Sequence, residues 1–465
     1  MHAHEAGALH ADAGYRGPGW LRVPEDVNAL VPMLWPRHVA RADTGAVEVA
    51  GVDVRDIARE FGTPAYVVDE DDFRARARAY RDAFAGADVY YAGKAFLCTE
   101  VARWVTEEGL HLDVCSGGEL AVALRAGVPG ENLGFHGNNK SVSELSRALD
   151  AGVGRVVVDS FAEIDRLAKL AADRGVRAKV MVRVTVGVEA HTHEYIATAH
   201  EDQKFGLSLS TGAAAEAVRR ILAARSLELV GLHSHIGSQI FDTQGFEVAA
   251  RRVCRLLAAI RDEHGIELPE LDLGGGFGIA YTTQDDPLAP ADVASSLRAI
   301  VEHECRGLSL SLPRLSVEPG RAIAGPAVFT LYEVGTVKQV DVGADIYRAY
   351  VSVDGGMSDN IRTALYDATY SATVASRASA APPALSRVVG KHCESGDIVV
   401  RDEFLPADVD AGDLLAVPAT GAYCRSMANN YNHIPRPPVV AVRDGRARLI
   451  VRRETEEDLL RLDVG

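Results

Sequence analysis

Val89-Tyr90-Tyr91-Ala92-Gly93 is an apolar run rich in aromatic and β-branched residues, and it ends on Lys94 with a helical stretch following at once. Such a run reads as a strand, which puts the lysine amine at its C-terminal mouth. Further apolar runs continue the pattern at 110–114, 133–136, 155–158, 179–184, 229–235, 271–273 and 315–317. Between them lie stretches with apolar residues three and four apart, among them 118–126, 143–151, 162–174, 213–224 and 246–263. Eight such pairs predict an α/β fold built on a (β/α)8 TIM barrel. Lys94, Ser116, His136, Asp159, Arg183, His235, Gly274, Gly275, Gly276 and Glu318 all fall at or just past the ends of these runs, on the face that carries the active site in such barrels. Helix caps and tight turns account for Ser116, Asp159 and Asn138, but not for so many chemically active types.

The segments outside the barrel read differently. Runs at 47–49, 65–68, 328–340, 349–353, 387–389, 414–417 and 439–451 alternate or stay apolar between Gly, Pro and Asp turns. They predict a second, mostly β domain, a sandwich or small barrel, made from both ends of the chain. The expected division is a tail over 1–23, a β domain over 24–70 and 327–465 with an exposed loop at 379–383, and a barrel over 71–326.

Acidic residues outnumber basic ones, 65 to 49, for a formal net charge of −16, so a nucleic acid or an anionic membrane surface is not an expected partner. Six cysteines, Cys98, Cys115, Cys254, Cys305, Cys393 and Cys424, are scattered without a CxxC pair, as in a reduced intracellular protein. No run of eighteen apolar residues occurs, and the start of the chain lacks a basic and apolar leader. The expected location is the cytoplasm.

A lysine at a barrel mouth can link covalently to an aldehyde, most usefully that of pyridoxal 5'-phosphate. After the seventh run, Leu273-Gly274-Gly275-Gly276-Phe277-Gly278 lets backbone N–H groups approach a phosphate without side-chain obstruction. Its contiguous glycines do not match the spaced glycines of a dinucleotide loop. After the eighth, Val317-Glu318-Pro319-Gly320-Arg321 supplies a carboxylate to keep the pyridine nitrogen protonated and a guanidinium to hold a substrate carboxylate; the bland alternative is an ion pair bracing the domain junction. The His233-x-His235 spacing suggests zinc, yet no third or fourth ligand accompanies it, and His235 is the better candidate for a ring stacked on the pyridine. His191, His193 and His200 read as a polar loop, and no metal is expected there or at His2, His4 and His10.

Taken in order, Tyr91-Ala92-Gly93-Lys94-Ala95, Asp113-Val114-Cys115-Ser116-Gly117-Gly118-Glu119-Leu120, His233-Ser234-His235-Ile236-Gly237-Ser238-Gln239, the glycine loop and Glu318-Pro319-Gly320-Arg321 resemble the diaminopimelate decarboxylases over about residues 33 to 455. Asp354-Gly355-Gly356-Met357-Ser358-Asp359-Asn360-Ile361-Arg362, Ala364-Leu365-Tyr366, Cys393-Glu394-Ser395-Gly396-Asp397 and Gly421-Ala422-Tyr423 extend the resemblance. It implies that Lys94 holds pyridoxal phosphate, that Gly276 and the turn of Glu318, Pro319, Gly320 and Arg321 contact it, and that Tyr423 helps hold its phosphate. It further implies that Arg321, Arg362, Tyr366, Glu394 and Tyr423 grip the substrate. Cys393 would return a proton, with Cys393 and Glu394 arriving from the second subunit of a homodimer. Gly93 and Phe96 depart from the usual pattern beside the lysine.

The implied reaction converts meso-2,6-diaminopimelate to L-lysine and carbon dioxide, the last step of bacterial lysine synthesis. A racemase with the same barrel is the less suited alternative, because its ring nitrogen usually faces an arginine. Decarboxylases of ornithine, arginine or carboxynorspermidine share the chemistry but not the need for Arg362 and Glu394 at a far end bearing both a carboxylate and an ammonium group. A non-catalytic cofactor-binding relative would have no use for Lys94 and Cys393 together.

Overall fold

The computed structural model describes residues 17–188, 204–342 and 347–465. They form two compact units. One contains the described chain up to Phe73 with Ile279–Asp286 and Ala324–Gly465; the other contains Arg74–Gly278 and Pro287–Ile323. Ile279–Asp286, inside the span expected to be barrel, thus joins the β unit. The N-terminal histidines and the His191 to His200 stretch lie outside the described residues.

The second unit is a closed barrel of eight parallel strands: β1 (Asp88–Ala92), β2 (His111–Val114), β3 (Leu133–Phe135), β4 (Arg155–Val158), β5 (Ala178–Thr185), β6 (Leu227–His233), β7 (Glu270–Asp272) and β8 (Arg314–Val317). Each pairs with its neighbours in chain order, and β8 closes onto β1. Every strand coincides with one of the apolar runs. The helix after β1 does not follow Lys94 directly but begins at Thr99, because Ala95 N–H returns to the Ala92 carbonyl at 3.1 Å and closes a turn. Ser116, Ser141 and Ser160 cap the next helices by accepting from the N–H groups of Glu119, Glu144 and Glu163. Asp159 does not cap; it accepts the Gly206 N–H at 2.8 Å.

Polar side chains fill part of the barrel interior. The Arg155 guanidinium donates to Ser316 Oγ at 3.0 Å and pairs with Asp272, which also accepts from the Ser316 hydroxyl at 2.9 Å and the Gly274 N–H at 2.7 Å. Its Cζ lies 3.8 Å from the centre of the Tyr90 ring. Arg155 and Asp272 are both buried, so each is stable as an ion only while the other is present.

The other unit is mostly β. Strand Val328–Asp341 is its spine. Its first half pairs antiparallel with Ala65–Asp69 and Leu414–Val417, and its second half with Tyr347–Val353. Ala65–Asp69 in turn pairs parallel with Val439–Arg443, so a strand from the N-terminal segment sits between strands laid down more than 250 residues later. Pro383–Val389 and Ile398–Pro406 extend the far edge. The second of these was not evident from its sequence, and the first starts earlier than expected. The loop before it is tied down, with Ser379 N–H donating to Asn28 Oδ1 at 2.8 Å and Ser379 Oγ to Asp408 at 2.7 Å. Val47, Val67, Phe329, Leu331, Ala416 and Val440 belong to one buried core.

Replacing Arg155 with alanine leaves Asp272 charged and unpaired inside the barrel. The expected loss is about 3–5 kcal/mol of stability, read from the urea midpoint by circular dichroism; a loss below about 1 kcal/mol would show that Asp272 finds another partner.

Candidate active site

β1 ends at Ala92, and the next N–H, from Gly93, donates to the Asp113 carbonyl at 3.0 Å. A Cβ on Gly93 would lie 2.8 Å from that carbonyl oxygen, so the approach of β2 demands glycine. Phe96 is buried and its carbonyl accepts the Tyr91 hydroxyl at 2.7 Å. The two departures noted beside the lysine therefore shape the turn that presents Lys94, which is exposed at the mouth.

Lys94 acts electrostatically on Cys115, Glu119 and His235. Burial holds His235 well below the ordinary imidazole value, and the Lys94 charge lowers it further. His235 therefore presents a neutral ring.

Glu318 follows β8, and its N–H donates to the Gly274 carbonyl at 3.0 Å. The glycine loop packs against it. A Cβ on Gly275 would lie 2.3 Å from the Glu318 carbonyl oxygen, and one on Gly276, at φ 106°, would lie 2.3 Å from the Gly237 carbonyl oxygen. Gly320 is equally confined, since its Cβ would come within 2.9 Å of Ala92. Arg321 donates to Ser238 Oγ at 2.8 Å, joining the turns after β6 and β8. Among the described residues, no acceptor meets the N–H groups of Gly275 and Gly276.

The Glu318 carboxylate is buried between two imidazoles, 3.0 Å from His233 Nε2 and 3.4 Å from His136 Nε2. His136 Nε2 is also 3.1 Å from Asp113 Oδ1. Burial alone would raise Glu318, but His136 and then His233 outweigh it and hold the group well below the carboxylate range. Burial likewise disfavours charge on His136, yet Asp113 and Glu318 raise it overall. Asp113 is pushed up to about 6, mainly by burial, and His233 is lowered by burial. These directions favour an ionised Glu318, a cationic His136 and a neutral His233. His136, His233 and Glu318 are also the one group among the described residues with the makeup and spacing of a metal site; a proton on each imidazole accounts for the same separations.

The β unit holds the remaining candidates. Arg362 is buried, donates to the Tyr370 hydroxyl and lies 4.7 Å from the centre of the Tyr281 ring. Tyr366, at the end of the same short helix, is exposed. Tyr423 has a left-handed backbone with φ 62°. Cys393 is exposed, and Glu394 accepts from Gly396 N–H at 3.4 Å. Thus Lys94, His235, Gly274, Gly275, Gly276, Glu318, Pro319, Gly320 and Arg321 belong to the barrel, and Arg362, Tyr366, Cys393, Glu394 and Tyr423 to the β unit. The sequence reading gave no role to Asp113 or His136, and treated His233 only as half of a zinc spacing. Their positions at the ends of β2, β3 and β6 were the available signal.

An aldehyde, a basic ring nitrogen and a phosphate each find a suited partner in the barrel: the Lys94 amine, the ionised Glu318 and the glycine loop. That fit defines a pyridoxal-phosphate-binding barrel. Residues 70–325 match the pyridoxal binding domain of pyridoxal-dependent decarboxylases. The diaminopimelate decarboxylase of Mycobacterium tuberculosis is 60% identical over 440 residues, covering 94% of this chain and 98% of that one. That of Bacillus subtilis is 47% identical over 424 residues, covering 90% and 95%. The crystal structure of diaminopimelate decarboxylase from M. jannaschii in co-complex with L-lysine superposes with a TM-score of 0.86 at 32% identity, covering 93% of this chain and 99% of that one. The chain belongs to the diaminopimelate decarboxylase family of pyridoxal-dependent decarboxylases.

The charge on His136 has a measurable sign. Its raised value means that the cationic form adds stability in full below the unfolded value of about 6.5, and that this contribution fades as pH rises through the folded value. His136→Asn should therefore be further below the parent in urea stability at pH 6 than at pH 9. An equal or reversed gap contradicts the cationic assignment.

Proposed function

We propose that the chain decarboxylates meso-2,6-diaminopimelate at its D-configured carbon, giving L-lysine and carbon dioxide with pyridoxal 5'-phosphate as cofactor. The observation that carries this reading is the buried, ionised Glu318. When bound, the cofactor supplies a protonated ring that accepts the electron pair left when the carboxylate departs. Glu318 keeps the ring nitrogen protonated, and His136 and His233 keep Glu318 charged where burial would neutralise it. A racemase-type site would set an arginine in that place.

Lys94 would hold the cofactor through its side-chain amine. His235 offers a neutral ring face, Gly275 and Gly276 offer N–H groups to the phosphate while the Gly274 N–H is held by Asp272 Oδ1 at 2.7 Å, and Tyr423 supports the phosphate end. Arg321, Arg362, Tyr366 and Glu394 grip the polar groups of the substrate, with Tyr423 assisting. The pairing of Arg362 with Glu394 suits a far end that carries both a carboxylate and an ammonium group, which ornithine and arginine lack. Cys393 donates its thiol proton to the carbon that lost carbon dioxide and regains one from solvent. In this reading Cys393 and Glu394 reach the site from the second subunit of a homodimer, and the enzyme works in the cytoplasm, in keeping with six free thiols. Among the described residues, no helix is long and apolar enough to cross a membrane.

Carbon dioxide release from meso-diaminopimelate, L-ornithine and L-arginine tests the substrate directly. Only the first should be consumed at a useful rate, and preference for either of the others overturns the proposal. Glu318→Gln should retain cofactor absorbance but lose about 10²–10³-fold in kcat; unchanged kcat at saturating substrate removes Glu318 from this role.

Lys94→Ala and Cys393→Ala should each be severely impaired alone. Mixed and re-associated, they should recover roughly a quarter of parental activity, from half the dimers being mixed and half of their sites whole. Confirmed heterodimers with no activity beyond the parental average exclude a shared site.

A further inference from the structure

Cys393 lies on an exposed stretch, where a side chain would ordinarily sample many directions. Its backbone is nevertheless held. Asn432 Oδ1 accepts the Cys393 N–H at 3.1 Å and also faces His392 Nδ1 at 3.2 Å. An amide oxygen can only accept, so Nδ1 carries the imidazole proton and Nε2 is the acceptor. That second nitrogen faces the Ser358 hydroxyl at 2.8 Å and the Ser358 N–H at 3.3 Å, and both are donors. The His392 backbone N–H is taken by Asp397 Oδ2 at 2.8 Å, and the imidazole stacks on Tyr431 with ring centres 5.5 Å apart. His392 is thus a buried, neutral strut between two segments remote in the chain.

The backbone of Asn432 is left-handed, with φ 53°, and His433 follows at φ 56°. Consecutive left-handed residues other than glycine are unfavourable, although asparagine tolerates the conformation better than most. Here the conformation aims one amide oxygen at two donors on the Cys393 stretch.

We infer that Asn432, acting with His392 and Ser358, is a positioning residue that fixes the direction in which the Cys393 thiol is presented for proton return. The inference rests on the reading of Cys393 as the acid. A thiol that must deliver a proton to one carbon gains from a fixed backbone even though the stretch is open to solvent.

The test compares Asn432→Ala, Asn432→Asp, Cys393→Ala and the Asn432→Ala/Cys393→Ala double variant in the cofactor-loaded enzyme, with kcat and KM for meso-diaminopimelate. Asn432→Ala should lower kcat about tenfold with KM within about twofold, because the carbon–proton step and not substrate binding is affected. Asn432→Asp keeps an acceptor oxygen and tolerates the left-handed backbone, so it should restore kcat to within about threefold of the parent. In the Cys393→Ala background the alanine at 432 should cost less than about twofold more, as expected for residues acting as one unit. Parental kcat in Asn432→Ala, or an undiminished penalty in the double variant, overturns the clamp while leaving the acid in place. Full kcat in Cys393→Ala instead sinks the acid reading itself. Should Asn432→Ala fail to fold, Ser358→Ala, which removes the hydroxyl from His392 Nε2, answers the same comparison.

Discussion

A carboxylate that must stay charged inside a barrel organises much of this molecule. Glu318 has left water, and the imidazoles of His136 and His233 keep it ionised where burial would neutralise it. His136 in turn needs Asp113 beside it, and Asp113 needs room. β3 provides that room with Gly134, where a Cβ would come within 2.3 Å of Asp113 Oδ1. Arg155, Asp272 and Ser316 form a second buried ionic group in the same interior. An ordinary barrel packs layers of branched apolar side chains there. This one gives up part of that packing to hold a charge at its mouth.

The two units divide the chemistry by the kind of support each offers. Strand ends and tight glycine turns fix groups rigidly, and in the barrel they carry the Lys94 amine, the Glu318 carboxylate and the glycine loop. In the β unit, Arg362 is locked by Tyr370 and Tyr281, while Cys393 sits on an open stretch steadied by Asn432. That unit is drawn from both ends of the chain. Ala65–Asp69 finds both of its partners, Val328–Asp341 and Val439–Arg443, only after the barrel segment has been made.

The barrel was legible because most of its strands carry a short buried apolar run, as at Val156, Val157 and Val158. Lys94, Glu318 and the glycine loop stood out as candidates because they come within two residues of the ends of those strands. The strand Ile398–Pro406 was not, since Arg401, Asp402 and Glu403 interrupt its apolar pattern, and Asp402 pairs with Arg348 on another strand. Ile279–Asp286 carries no periodic signal that assigns it to the β unit. Asn432 and His392 could not have been picked out, because what distinguishes them is a meeting of segments about forty residues apart. His136 and His233 stood in plain view at strand ends, but which carboxylate they would face depends on how the barrel closes.

The central claim is that one lysine at the mouth of β1 carries the cofactor. Borohydride reduction of the cofactor-loaded protein, followed by peptide mass mapping, locates the linkage directly. The account predicts a pyridoxyl phosphate adduct on Lys94. It also predicts none on Lys140, whose amine is already engaged by Gly137, Val157 and Glu163 at 2.6–2.8 Å. An adduct on any other lysine, with Lys94 unmodified, would contradict it.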